Sequence, residues 1–153
     1  MKTTFPFEVN RTNIEINERN GYYYQFMFQS GRLQGMAEVL FSPVKSYDCL
    51  PPVSQLYREL GLQPDQRVAH LNRFYPNGQG IPDDSTLMRQ GIGTAALELI
   101  TADARESDVK GMHVFSGRLG MIRFMERNFE VFDPKPQPDG TYQRKYVLAC
   151  KLI

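Results

Sequence analysis

The sequence predicts a mixed α/β fold of the α+β-like kind, with a mostly antiparallel sheet built around one parallel strand–helix–strand unit. Three features carry that expectation. An aromatic, β-prone run from Tyr22 to Phe28 leads through the Ser30-Gly31 turn to a second run, where Leu33, Ala37, Val39 and Phe41 share one face, the pattern of an antiparallel hairpin. Ile92, Ala95, Ala96, Leu99 and Ile100 recur at helical spacing just after a candidate strand and a glycine turn. A short apolar strand, a second helix and two further strands then complete the chain.

In order, Phe7, Val9, Ile14 and Ile16 alternate loosely over residues 7–18, as a first strand or strand pair would. Pro51-Pro52 is expected to end the hairpin region, and Ser54 to cap a short helix that runs to about Leu60 and stops at Gly61. Arg67 to Tyr75 reads as a strand closed by Pro76, followed by a loop rich in Gly, Pro and Asp. The clearest helix starts near Gly91. Met112 to Phe115 is a short buried strand, Leu119 to Arg127 a helix, and Phe129 to Phe132 and Arg144 to Leu152 the last strands, with an irregular loop from Asp133 to Gly140. No repeat or linker divides the chain, so residues 1–153 are expected to form a single domain.

Composition narrows the function classes. The 18 basic and 17 acidic side chains give a net charge of +1, so there is no global electrostatic footprint for nucleic acid or an anionic membrane. Cys49 and Cys150 lack metal-ligand spacing and do not make a disulfide framework, which fits a reduced, cytoplasmic setting and no metal centre. The first residues lack the apolar run of a signal peptide, and no stretch approaches the roughly 20 apolar residues of a membrane span.

The strand, glycine turn and helix around Arg89-Gln90-Gly91-Ile92-Gly93-Thr94 form a physical recipe for holding phosphate. Glycines let backbone N–H groups converge on an anion, the helix N-terminus adds free donors and the positive dipole end, and Arg89 can add a direct contact. Equally, the glycines can serve only to pack the helix closely on the sheet. A dinucleotide fingerprint needs a third glycine where Ala96 stands, and the Gly-Lys-Ser/Thr of a nucleoside-triphosphate loop is absent.

The run Arg89-Gln90-Gly91-Ile92-Gly93-Thr94-Ala95-Ala96-Leu97 resembles the acyl-CoA-binding motif A of the GNAT superfamily, Gln/Arg-x-x-Gly-x-Gly/Ala, with Gly91 and Gly93 at the glycine positions and Met88 at the Gln/Arg position. Val114 and the segment Met121 to Glu130 look like the superfamily's closing strand–helix–strand. The resemblance covers roughly residues 67–132. It implies a GNAT fold whose two central parallel strands splay apart, and an acyl-CoA-dependent N-acyltransferase using acetyl-CoA or a short acyl-CoA as cosubstrate. Pantetheine would pair with the strand end at Phe74 and Tyr75, and the pyrophosphate would sit on residues 89–94. The partners implied are acyl-CoA and a primary amine of a small molecule or peptide, and a homodimer is left open.

Acyl transfer to an amine needs a proton acceptor for the amine, stabilisation of the thioester oxygen and a proton for the leaving thiolate. Where many superfamily members have a Glu six residues before the closing proline, this chain has His70, the candidate general base. Strand alternation puts His70, Asn72 and Phe74 on one face. The superfamily's Tyr acid aligns with Phe124 or Met125, and its Asn with Arg118 or Gly117, none of which replaces a phenol. Tyr142, with Tyr146 and Tyr75, is the fallback donor. His113 is expected to be a satisfied core histidine, Ser116-Gly117 to shape a turn, and Tyr22-Tyr23-Tyr24 to pack the sheet.

A second resemblance concerns helix placement and the segment Ala69 to Phe74. It is similar to the acyl-homoserine-lactone and N-acyl amino acid synthases, GNAT relatives with a Glu-x-Ser-Arg-Phe strand, of which Arg73 and Phe74 match and His70 and Asn72 depart. Three readings therefore stand: an N-acyltransferase, an autoinducer-synthase-like enzyme, and an acyl-CoA-binding domain without turnover. Arg118, Arg123 and Arg127 recur on the last helix, as a solvated face or as a carrier-protein docking site.

Overall fold

The computed structural model describes residues 8–27, 33–76, 91–134, 137–141 and 146–153. Strands β1 (Glu8–Ile16), β2 (Arg19–Met27) and β3 (Leu33–Pro43) open the chain, and a 3₁₀ turn over Val44–Tyr47 leads into helix α1 (Pro51–Glu59). Strand β4 (Arg67–Tyr75), helix α2 (Ile92–Glu106), strand β5 (Val109–Ser116) and helix α3 (Leu119–Asn128) follow, and β6 (Val131–Asp133) and β7 (Val147–Leu152) close it. The seven strands among the described residues form one sheet in the order β1-β2-β3-β4-β5-β7-β6. Every neighbouring pair is antiparallel except β4 and β5. The expected parallel strand–helix–strand unit is thus β4-α2-β5, set inside an antiparallel sheet.

Two cores lie on opposite faces. The larger gathers Tyr24, Phe26, Val39 and Leu71 from the sheet with Ile92, Ala96 and Ile100 of α2 and Met121, Ile122 and Met125 of α3. The smaller packs Val53, Leu56 and Tyr57 of α1 against Val68, Leu148 and Cys150. The tyrosine run serves the sheet as expected: Tyr22 meets Phe41 edge-on, and Tyr24 stacks on Phe26. The Tyr24 hydroxyl donates to Asp103 of α2 at 2.8 Å, and Arg11 of β1 pairs with the same carboxylate at 3.1 Å, so one aspartate ties α2 to β1 and β2.

Three expectations need correction. Pro51 and Pro52 start α1 rather than ending the preceding region, because proline tolerates the first helical turn, where its missing N–H has no partner to lose. Ser54 lies inside that first turn, its hydroxyl donating to the Pro51 carbonyl. Gly61 does end the helix, at φ +91, with the Leu62 amide returning to the Tyr57 carbonyl. The third correction concerns β4. Val39 of β3 faces Leu71 and Glu38 faces Arg73, so Asn72 is an extra residue in the ladder, a β-bulge. Alternation resets there. Ala69, Leu71 and Phe74 all enter the larger core, and Phe74 therefore lies on the face opposite His70. Asn72 spends its amide on the buried Glu38 carboxylate, which accounts for the bulge holding its place.

Replacing Asp103 by alanine strands the buried Tyr24 hydroxyl and releases Arg11. The expected loss is about 1–3 kcal/mol in urea denaturation with an unchanged m-value.

Candidate active site

The parallel ladder between β4 and β5 is short. It runs from Arg67 and Val109 to His70 and His113 and stops, although β4 continues to Tyr75 and β5 to Ser116. Beyond the last rung the strands diverge around a cleft of about 480 Å³, walled by Leu71 to Tyr75 on one side and by Val114 to Arg118, Met121 and Tyr146 on the other. This is the splayed pair that the sequence led us to expect. Phe115 and Tyr146 on its walls are 41% and 57% exposed, unusual for side chains of their size. Ser116 shapes the exit from β5 as expected, its hydroxyl accepting the Arg118 amide at 3.2 Å.

Helix α2 starts beside this unit. Gly91 precedes it with φ +72, a left-handed conformation that favours glycine, and nothing lies within 4 Å of where a Cβ would stand. The first helical bond joins the Ala95 amide to the Gly91 carbonyl. The amides of Ile92, Gly93 and Thr94 thus have no partner within the helix, and no acidic side chain in the first turn answers the dipole. Gly93 also serves packing, because a Cβ there would come within 3.3 Å of Phe124, which stacks on Phe74 with ring centroids 5.6 Å apart. Arg89, Gln90 and Tyr142 lie outside the described residues.

His70 occupies the last rung of the ladder, at the root of the cleft, and is not among the residues lining it. It stacks on His113 at 4.6 Å and meets Phe115 edge-on. His113 is fully buried, as expected of a core histidine. Its Nδ1 is 2.6 Å from the Tyr57 hydroxyl, while its Nε2 has no hydrogen-bond partner among the described residues. Tyr47 packs edge-on against His113 from the same face, under the Arg19 guanidinium. Burial pushes the His70 pKa down to about 4, helped by the charge of Arg19. Burial, then His70 and Arg19, drive that of His113 well below the usual imidazole value.

Of the expected donors, Tyr75 and Tyr146 both line the cleft. Sequence reasoning did not place the two guanidiniums that join them in the cleft: Arg73 was noted for its match to a motif, and Arg118 for its alignment with the superfamily's Asn and its recurrence with Arg123 and Arg127. Arg118 lies over the Tyr75 ring at 5.7 Å. The bulge at Asn72 is what turns Arg73 and Tyr75 to the face that carries His70, and a bulge leaves no mark in the sequence pattern.

The folded state keeps both histidines neutral at pH values where an unfolded imidazole, with a pKa of about 6.5, binds a proton. Their contribution to stability is therefore complete above about pH 6.5 and is lost as the pH falls towards the folded His70 value of about 4. Denaturation across that window is expected to show stability falling with acid, and a smaller fall for His70→Phe.

No protein-family model matches the chain, and no curated protein sequence does either. Solved structures do. A GNAT family acetyltransferase from Elizabethkingia anophelis with acetyl-CoA bound superposes with a TM-score of 0.55 at 9% identity, over 97% of this chain and 99% of that one. An agmatine N-acetyltransferase gives 0.54 at 7% identity, over 86% and 76%. The polyamine N-acetyltransferase of Drosophila melanogaster gives 0.52 at 9%, over 86% and 74%. The fold of this chain, seven strands with one splayed parallel pair and a glycine-led helix, is that of the GNAT acetyltransferases.

Proposed function

We propose that the protein is an acyl-CoA-dependent N-acyltransferase that moves an acetyl or short acyl group to a primary amine of a small molecule or peptide. The observation that carries this reading is the open wedge between β4 and β5 beside the glycine-led start of α2. The wedge offers unpaired strand backbone to an extended chain with amides, as pantetheine is. The helix start offers the amides of Ile92, Gly93 and Thr94, with Arg89 and Gln90 ahead of them, to a diphosphate. Phe74 and Tyr75 form the wall along which the thioester would lie. The GNAT neighbour with acetyl-CoA and the neighbours named for amine acetylation support the same donor and acceptor classes.

In this reading the leaving thiolate takes its proton from a phenol, with Tyr75 and Tyr146 the described donors on the cleft wall and Tyr142 a third candidate. The proton acceptor is His70, reached through water because it does not line the cleft. Among the described residues no Asp or Glu lines it either. A neutral His70 with a pKa near 4 is a weaker base than free imidazole. The amine's own proton loss to solvent then carries part of the work.

That missing carboxylate also favours a second reading, an acyl-CoA-binding domain without turnover. An amine panel with acetyl-CoA separates the two. A carrier protein is the less favoured donor: Arg123 and Arg127 are exposed along α3 as a solvated face would be.

Coenzyme A is expected to stabilise the folded chain by roughly 2.7 kcal/mol at about 100 times its Kd, a thermal shift of several degrees. No shift at millimolar coenzyme A would remove the cofactor from the account. For catalysis, His70→Gln is expected to lower kcat by roughly 10²-fold while the coenzyme A shift remains. The wild-type rate should show no His70 inflection between about pH 5.5 and about pH 8, since its group titrates near 4. Of Tyr75→Phe and Tyr146→Phe, one is expected to lower kcat by about 10²-fold; full activity in both leaves the thiolate without either donor.

A further inference from the structure

We infer that Asn72 binds the acceptor amine, its side-chain carbonyl taking one N–H of a primary amine, and that Glu38 is the positioning residue that aims it. The inference rests on the acyltransferase reading above and names a binding residue of the same site.

Asn72 is the inserted residue of the β4 bulge, and it is exposed on the wall of the cleft. Its amide reaches Glu38 of β3, donating from Nδ2 to Oε1. Ala37 and Val39, on either side of Glu38, belong to the larger core, so Glu38 points to the opposite sheet face, the one that carries His70. The bulge therefore sets Asn72 beside Arg73 on that face, where a regular strand would turn them apart. The Glu38 side chain is 7% exposed, and its carboxylate accepts from Asn72 and from no other described residue. A carboxylate offers only acceptors, so the amide nitrogen has to face it and the carbonyl oxygen has to face away. That oxygen makes no hydrogen bond with a described residue.

The cleft needs such a group. Arg73 lines it without an ion pair to a described residue, and no described Asp or Glu lines it, so an ammonium would meet a cation and no counter-charge. The amine then enters neutral, the form that attacks a thioester, and its N–H groups call for hydrogen-bond acceptors. Among the described lining side chains, Asn72, Ser116, Tyr75 and Tyr146 carry oxygens. Ser116 already accepts the Arg118 amide, and the phenols are the donors to the leaving thiolate, which leaves Asn72. As the amine nitrogen bonds the acyl carbon and the C–S bond breaks, one N–H proton leaves through water towards His70, and the thiolate takes a proton from a phenol. The other N–H stays on nitrogen as the product amide's own, held by Asn72 from first contact to product. A secondary amine has a single N–H and cannot serve both groups, so Asn72 also selects primary amines.

Thermal shift with coenzyme A comes first, and its absence would remove the acyltransferase reading and this inference together. With acetyl-CoA as donor, phenethylamine is then compared with N-methylphenethylamine, and glycinamide with sarcosinamide. In Asn72→Leu, which keeps the size and removes the carbonyl, kcat/KM for the primary amines is expected to fall by about tenfold, the scale of one hydrogen bond. The secondary amines should change little, so the primary-to-secondary ratio shrinks, with the KM for acetyl-CoA and the coenzyme A shift retained. Glu38→Gln lets residue 38 donate as well as accept and frees Asn72 to turn over. A smaller fall is expected there, and no further fall when Glu38→Gln is added to Asn72→Leu. Additive losses in the double variant would overturn the positioning role of Glu38. The inference as a whole is overturned if Asn72→Leu leaves the primary amines unchanged, lowers both members of a pair equally, or abolishes the coenzyme A shift. It is also overturned if no primary amine reacts with protein that binds coenzyme A.

Discussion

Past His70 and His113, strands β4 and β5 no longer bond to each other, yet each stays bonded on its outer side. β4 pairs with β3 as far as Tyr75, and β5 pairs with β7 as far as Ser116. The sheet is therefore continuous around a wedge whose inner edges carry unpaired N–H and C=O groups. Such groups need partners, and an extended ligand that enters the wedge can supply them without rearranging the sheet. The Asn72 bulge turns the end of β4 where its ladder to β5 has stopped, and Phe74 stacks on Phe124 of α3 on the side of the larger core. Phe124 in turn packs so close to the first turn of α2 that a Cβ at Gly93 would come within 3.3 Å of it. Helix α2, helix α3 and the wall of the wedge thus meet at one glycine and two rings.

The two faces of the wedge differ in chemistry. Towards α2 and α3 it is apolar, with Leu71, Phe74 and Met121 in the larger core. On the other face the root is closed by a stack of two neutral histidines braced by Tyr57 and Tyr47, and the mouth carries Tyr75 under the Arg118 guanidinium. An acyl donor laid between the strands would meet the first face with its diphosphate end and present its thioester towards the second.

Much of the fold was legible because its signals are local. The 3.6 period from Ile92 to Ile100, the strand ended by Pro76 and the hairpin pattern of β2 and β3 each follow from side-chain spacing, and they became α2, β4 and the antiparallel pair. The full length of β5, which runs from Val109, was less legible, because Lys110 and Gly111 break its apolar run before Met112. The start of α1 was misread, because a proline pair ends one element and opens the next with the same residues. The site was legible as a glycine turn and a candidate base. Its faces were not, because they depend on a single inserted residue in β4 that alters no hydrophobic count. His70 illustrates the limit. Its identity suggested a base, whereas its burial against His113 and Phe115 sets its proton affinity, and burial is a tertiary property.

The central claim is that coenzyme A occupies the wedge by pairing with strand backbone that the sheet leaves open. Amide hydrogen exchange of the intact chain, with and without saturating coenzyme A, tests it most directly. The account predicts slowed exchange concentrated at Leu71 to Tyr75, at Val114 to Ser116 and at Ile92 to Thr94, with little change in β1 and β2. Binding that protects other segments and leaves the end of β4 exchanging as before would contradict it.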